Sequence, residues 1–417
     1  MKRLHFAIVI AVAVLAACEG PVGPAGADGK NGIDGINGKD ANSVCLTCHG
    51  NVTMLARTTE YELSKHFTGT TSARNTKYCA RCHTNEGFLE VLGANKYVVS
   101  NDMPNATRIS CTTCHKHSGF DFAVNANAQI LRATDPVFLN YNRNTTVTDF
   151  GAMNNLCVNC HQIRGVTSVN YTDSTGAVKT FDQLPYFPFA STKDDNAPVN
   201  YQVGRSFSVH DGNQSNLFKG INGYEYNGQT YTRVWQHSSN NCTTCHMNKW
   251  DPVAKVGGHT LKPNVAECDK CHTQENFAST QAKVAAKLIE LGDLLAARKV
   301  MRKTVNTSGV TSYSAMQTHD FYGQLFATTQ TSTRYATALA NANTVSPTTG
   351  LVIYGNTVTM ATDANWSYRI GRPWKMGELG AAYNYAFINS ELSFGVHNPV
   401  YAMQLLQKSI DWLKANP

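Results

Sequence analysis

The chain has 417 residues, a formal net charge of +7, 42% hydrophobic residues and 16% charged ones, with 31 glycines and 13 prolines. That length holds two or three domains or one large body, and the composition excludes a long disordered polyelectrolyte and a mainly fibrous protein. The single apolar run approaching membrane-spanning length is at the extreme N-terminus, so the remainder is expected to be soluble.

Lys2 and Arg3 form a basic head before an apolar run from Phe6 to Leu15 and a group of small residues, the layout of a secretory signal peptide over residues 1–17. The run ends Leu15-Ala16-Ala17-Cys18, which resembles the bacterial lipoprotein signal. The resemblance implies that Cys18 becomes the acylated first residue of the mature chain. It also implies stable anchoring at the outer membrane, on its periplasmic face or the cell surface. Ordinary secretion with a spare thiol is the alternative, but Cys18 is the one cysteine outside the repeats described below.

Residues 18–41 carry a spacer. Gly20, Gly23, Gly26, Gly29, Gly32, Gly35 and Gly38 stand in phase as Gly-X-Y, the collagen-like period in which only glycine fits the crowded axis. Pro21 and Pro24 are its only prolines, too few for a collagen composition, so the segment reads as an extended spacer reaching up to roughly 65 Å at about 3.1 Å per residue. A trimerising stalk is the alternative.

Twelve of the 13 cysteines fall in six Cys-x-x-Cys-His units: Cys45-Cys48-His49, Cys79-Cys82-His83, Cys111-Cys114-His115, Cys157-Cys160-His161, Cys242-Cys245-His246 and Cys268-Cys271-His272. In such a unit two thiols add to the vinyl groups of haem and the following histidine is the proximal iron ligand. Zinc ribbons, thioredoxin-like pairs and disulfides could use CxxC, but none needs histidine next to every pair. Histidine is 14 of 417 residues, so its recurrence after all six pairs is not chance. The cofactors expected are six c-type haems.

The second axial ligand decides between electron transfer and chemistry at iron. Apart from His5 and the six motif histidines, seven remain: His66, His117, His210, His237, His259, His319 and His397. His66, His117, His210, His237, His259 and His397 are taken as distal ligands, and His319, with the weakest context, as the spare. Met54 and Met247 compete in principle, but Met247 directly follows His246 and is too close to fold over the opposite face of its own haem.

The haem region is expected over residues 42–275, with a Tyr-, Asn-, Thr- and Gly-rich, haem-poor insertion at 162–241. Within it Tyr224 to Tyr231 suggests a hairpin around Asn227-Gly228. A helical region packing on the haem core follows over 276–417. Val284, Leu288, Leu291 and Leu295 recur at helical spacing between Ala278 and Lys303. Val400, Met403, Leu406, Ile410 and Leu413 repeat the pattern after Asn398-Pro399 as cap and first turn. Leu351 to Met360 alternates as a short β excursion around Gly355-Asn356.

The six units, the stretch Cys79-Ala80-Arg81-Cys82-His83-Thr84-Asn85-Glu86-Gly87-Phe88 and the sequence Gly395-Val396-His397-Asn398-Pro399 before a helix resemble bacterial multihaem c-type cytochromes. Among these are relatives of the pentahaem ammonia-forming nitrite reductases and the octahaem cytochromes. The resemblance covers most of the chain from Cys45 onward and is loose outside the motifs. It implies a mainly α fold with much irregular structure, organised around stacked haems, with a helical C-terminal region and minor β hairpins. It also implies that His397 ligates a haem supplied from earlier in the chain. The nitrite reductases carry CxxCK at their catalytic haem; here all six motifs end in histidine, which leaves nitrite reduction unsupported. Hexahaem outer-surface cytochromes of metal-respiring bacteria are the nearer analogy.

The expected function is electron transfer along six mostly bis-histidine haems, between periplasmic or outer-membrane electron-transfer proteins and an acceptor at or beyond the outer membrane, such as a metal oxide. One alternative is a reductase of nitrite, hydroxylamine or a sulfur oxyanion at a haem with an open distal side, near Arg164, Tyr97 or Tyr171. Another is a filament subunit, against which lipidation argues. Loss of Lys2 and Arg3 and the addition of twelve propionates cancel the positive charge, so nucleic-acid binding is not indicated.

Overall fold

The computed structural model describes residues 50–417 apart from 70, 95–97, 117–130, 140–146, 164–170, 173–177, 180–193, 198–208, 211, 273, 299, 316–343, 346–351, 354–357, 360–366 and 369–374. The chain divides into two compact units, Met1–Gly50 and Asn51–Pro417. The leader, Cys18, the Gly-X-Y spacer and the first motif (Cys45, Cys48, His49) lie outside the described residues, as do His117, His319, Arg164 and Tyr97.

Within Asn51–Pro417 the described helices are α1 (Asn51–Glu62), α2 (Lys65–Thr68), α3 (Ala80–His83), α4 (Asn85–Ala94), α5 (Cys111–Cys114), α6 (Ala152–Val158), α7 (Gln214–Lys219), α8 (Cys242–His246), α9 (Gln274–Ala297), α10 (Met376–Asn389) and α11 (Pro399–Ala415). Every described sheet is a two-stranded antiparallel pair. The longest joins Met301–Val305 to Thr311–Ala315. The fold is mainly α, with irregular chain between short helices up to residue 273 and long helices after it. No described helix is long and apolar enough to cross a membrane.

The main apolar core lies where α9, α10 and α11 pack on one another. Val284, Leu288, Leu291 and Leu295, one face of α9 by helical period, are all buried. Each such side chain contributes about 1.5–3 kcal/mol on burial. Asn398 caps α11 by accepting from the Tyr401 N–H at 3.0 Å, and Pro399 fills the first turn. The inward face of α11 runs through Tyr401, Leu405, Leu406, Ile410 and Leu413; Val400, expected on it, is 40% exposed.

Three local features differ from the sequence reading. The α9 helix stops at Ala297, and Met301–Val305 is a strand, because the Val300–Val305 stretch is β-prone and Lys303 turns back to pair with Asp293 at 2.6 Å. The Tyr224–Tyr231 segment turns at Asn227-Gly228 but forms no ladder. Its backbone is held instead by side chains: Asn384 accepts from the Tyr224 N–H at 2.7 Å and donates to the Tyr224 carbonyl at 2.9 Å, and the Tyr226 N–H donates to Tyr231 Oη. Strands at Val352–Ile353 and Val358–Thr359 occupy the Leu351–Met360 excursion, but each pairs outward, with Thr344–Val345 and Ser367–Tyr368, rather than with the other.

Helix α10 has no counterpart in the sequence reading. It is buried on nearly every side, from Gly377 to Ile388, so no polar face alternates with the apolar one and the helical period does not stand out.

Candidate haem centres

The Cys-x-x-Cys-His spacing becomes one helical turn. His83, His115, His161 and His272 each donate their N–H to the carbonyl of the first cysteine of their motif, at 3.3, 2.9, 2.9 and 3.0 Å. In the fifth motif α8 spans the whole unit. Positions i, i+3 and i+4 of a turn lie on one face, so both thiols and the imidazole reach the same side. The intervening residues help. In the two Cys-Thr-Thr-Cys-His motifs, Thr113 and Thr244 accept from the backbone N–H of Ser110 and Asn241 at 2.9 and 3.3 Å, closing capping boxes around the turn. None of the ten described motif cysteines is in a disulfide.

Each of the five described motif histidines faces one of the five described histidines outside the motifs. The ring centroids are 6.0 Å apart for His161 and His66, 6.1 Å for His83 and His210, and 6.4 Å for His115 and His259. They are 5.6 Å apart for His272 and His237 and 6.0 Å for His246 and His397. A metal held between two imidazoles at about 2 Å each, with roughly 1 Å more from each nitrogen to its ring centre, sets the centroids about 6 Å apart. All five pairs have that spacing. Among the described residues no three or more His, Cys, Asp or Glu side chains gather to hold a bare metal ion; the histidines stand in twos.

The surroundings favour the neutral, metal-binding form of four of these rings. Burial holds His66 down to about 4, with the neighbouring His161 adding to the effect. Burial likewise keeps His161, His246 and His259 below the ordinary imidazole value. Acceptors meet the remote ring nitrogen: Nδ1 of His161 is 3.1 Å from Gln214 Oε1, and Nδ1 of His246 is 3.0 Å from the Leu261 carbonyl. Nδ1 of His397 contacts Glu391 Oε1, whereas Nδ1 of His259, 3.5 Å from Glu60 Oε2, makes no hydrogen bond. A ring that gives its Nδ1 proton to an acceptor presents the Nε2 lone pair to a metal.

Two tight loops make these contacts. Gly395, at φ +85°, comes so close to Val284 that a Cβ there would lie 2.9 Å from Val284 Cγ2, which seats the His397 loop on α9. Gly258, at φ +52°, leaves room for Glu60, whose Oε2 would lie 2.4 Å from a Cβ at that position. Glu60 accepts the His259 N–H at 2.8 Å and pairs with Arg57. Although burial raises its pKa, the His259 N–H and the Arg57 guanidinium hold it below the usual carboxylate value.

The motifs touch one another out of sequence order. The Cys160 thiol hydrogen-bonds with that of Cys82, and the Cys157 thiol with that of Cys242. Asn154 on α6 accepts the Cys242 N–H at 2.6 Å and donates to the Asn240 carbonyl at 3.4 Å. The fourth motif therefore sits between the second and the fifth. The roles of Glu391, Glu60, Gln214 and Asn154 carry no sequence signature; each acts from a separate element. Tyr171, named beside a possible open iron, lies in a short strand paired at Lys179.

No protein-family model matches the chain. Over 189 residues, 40% of the chain, it is 27% identical to the C-type polyheme cytochrome OmcB in two strains of Geobacter sulfurreducens. The chain is distantly related to bacterial multihaem c-type cytochromes. It spans about a quarter of OmcB, since the match covers 24% of that protein. A superposition on the crystal structure of outer cell wall cytochrome OcwA covers 85% of this chain and 49% of that one at a TM-score of 0.42 and 15% identity. The donor set fits c-type haem: two thiols and an imidazole on one turn, and a second imidazole at the spacing of one iron.

Proposed function

We propose that the chain is a six-haem electron carrier in which every iron lies between two histidines. The observation that carries this reading is the pairing of all five described motif histidines with histidines from elsewhere in the chain, at 5.6–6.4 Å. Cys79, Cys82, Cys111, Cys114, Cys157, Cys160, Cys242, Cys245, Cys268 and Cys271 would hold five haems, and Cys45 and Cys48 the sixth, with His49 as its proximal ligand. Bound haem supplies reversible one-electron chemistry at iron. The chain's own residues would supply a pair of histidines to each haem, set ring tautomers through Gln214, Leu261 and Glu391, and hold neighbouring motifs in contact through Asn154. With both axial positions filled there is no place for a substrate on iron, which favours a carrier over a reductase.

Acylation at Cys18 and the Gly-X-Y spacer would tether this body at the outer membrane. From there it would pass electrons between periplasmic or outer-membrane proteins and an acceptor beyond them. The test is low-temperature EPR of the ferric holoprotein, with haem counted by pyridine haemochrome. Six low-spin haems per chain are expected. Fewer haems, or a high-spin component of one haem or more, would overturn the reading in favour of an open iron site.

A further inference from the structure

We propose that Glu391 is a positioning residue that acts through His397 to hold the iron site of the fifth motif at a lower Fe(III)/Fe(II) potential than its neighbours. The inference rests on the reading of His246 and His397 as the two ligands of one iron.

The Glu391 side chain is 0% exposed. Its Oε1 meets Nδ1 of His397, and its Oε2 accepts the Ser393 N–H at 3.1 Å and the Ser393 hydroxyl at 2.7 Å. Three polar groups thus converge on this one buried carboxylate, from His397 and from the backbone and side chain of Ser393. The loop that carries it is held from both sides. Gly395 seats it on α9, and Gln214 Nε2 donates to the Glu391 carbonyl at 3.2 Å.

The other described acceptors on ligand rings differ in charge. Gln214 on His161 and the Leu261 carbonyl on His246 are neutral. Glu60 faces His259, but its two oxygens also take Arg57 Nη1 at 2.7 and 2.9 Å, so a cation offsets its charge. Among the described residues no lysine or arginine pairs with Glu391, whose ion-pair partner is His397. A carboxylate that takes the Nδ1 proton partway from a ligand imidazole makes Nε2 a stronger donor to iron. The ferric state, with one more positive charge, gains more from this than the ferrous state, and burial strengthens the effect.

The step affected is a one-electron transfer. A haem held by Cys242, Cys245, His246 and His397 would exchange one electron with the adjacent fourth-motif site, one site being oxidised as the other is reduced, with no bond formed or broken. Gln214 bridges the two sites, from His161 Nδ1 to the Glu391 carbonyl. The fifth site is therefore the harder of the two to reduce.

The experiment is a potentiometric titration of the intact holoprotein, with dithionite as reductant and ferricyanide as oxidant, followed optically and by EPR. Glu391→Gln keeps the volume and an acceptor but removes the charge. It should shift one haem component upward by at least tenfold in its redox equilibrium, 59 mV for one electron, and change that component's low-spin signal. Glu391→Asp should return it toward the parent value. His397→Met, which replaces the distal ligand, marks which component belongs to the fifth motif. A Glu391→Gln protein with six low-spin haems and unchanged potentials would overturn the proposal, as would an equal shift of all six. If that variant does not load haem, Ser393→Ala decides the matter. Freeing Oε2 from the hydroxyl concentrates charge on His397, so the marked component should move down, and no movement counts against Glu391. A high-spin fifth site in the parent protein would instead refute the two-histidine reading itself.

Discussion

His66→Ala gives the sharpest test of the histidine pairing. His66 lies in the short helix α2, whose cap is Ser64 accepting the Phe67 N–H at 3.2 Å; the substitution leaves that cap intact. Its ring faces His161 at 6.0 Å. Removing a mostly buried side chain of this size costs about 2–4 kcal/mol, less than the roughly 5–15 kcal/mol that holds a typical domain, so the variant should still mature. On the proposed two-histidine reading it removes one ligand of one iron. With six motifs in the chain, one haem in six should become high-spin in the ferric protein, visible by EPR and in the optical spectrum. Added imidazole should restore the low-spin form, and His66→Met should stay low-spin with a raised potential for that haem. A His66→Ala protein with full haem content and no high-spin signal would refute the pairing.

Three further outcomes follow from the same structure. Of the two non-motif histidines of the mature chain outside the described residues, His117→Ala should produce one high-spin haem and His319→Ala none; the reverse EPR result would exchange their roles. Asn384→Ala strands the Tyr224 N–H and carbonyl in the core, at about 1–3 kcal/mol each, and should lower the thermal midpoint measured by circular dichroism without changing haem content. On acidification, the low-spin signal of the haem assigned to His66 and His161 should persist from pH 6.5 down toward pH 4. Burial places the His66 proton affinity at about 4, so the ring stays neutral through that window and protonates only below it; a high-spin signal already growing in at pH 6 would contradict this.

Much of the site is visible in the chain because covalent haem attachment is a local contract. Cys79, Cys82 and His83 must share one turn, so their spacing is written in consecutive residues. The helices α9 and α11 are legible for the same reason: an apolar stripe on a half-exposed helix repeats with the backbone period. The five described non-motif histidines could be counted, but which faces which could not be read, because His83 meets His210 only through tertiary folding. Glu391 and Glu60 were invisible, since each is an ordinary acidic residue until the loop around Gly395 or Gly258 brings it under a ring. The α10 helix was missed because full burial erases the contrast that sequence patterns depend on. The turn at Asn227-Gly228 was found but its ladder was not, because Asn384, more than 150 residues away, supplies the bonds that a second strand would have made.

The histidine pairs also have a topology. His66 with His161, His83 with His210 and His115 with His259 span overlapping stretches of the chain, and His246 with His397 closes the longest span among the described residues. If an iron bridges each pair, the metals act as cross-links. Loops of roughly 100 residues closed this way each remove on the order of 4–5 kcal/mol of freedom from the unfolded chain. Because the spans overlap, opening one leaves the others closed around part of the same stretch of chain, and a chain threaded out from its N-terminus can acquire its cofactors early but must wait for His397 to emerge before the fifth iron site is closed.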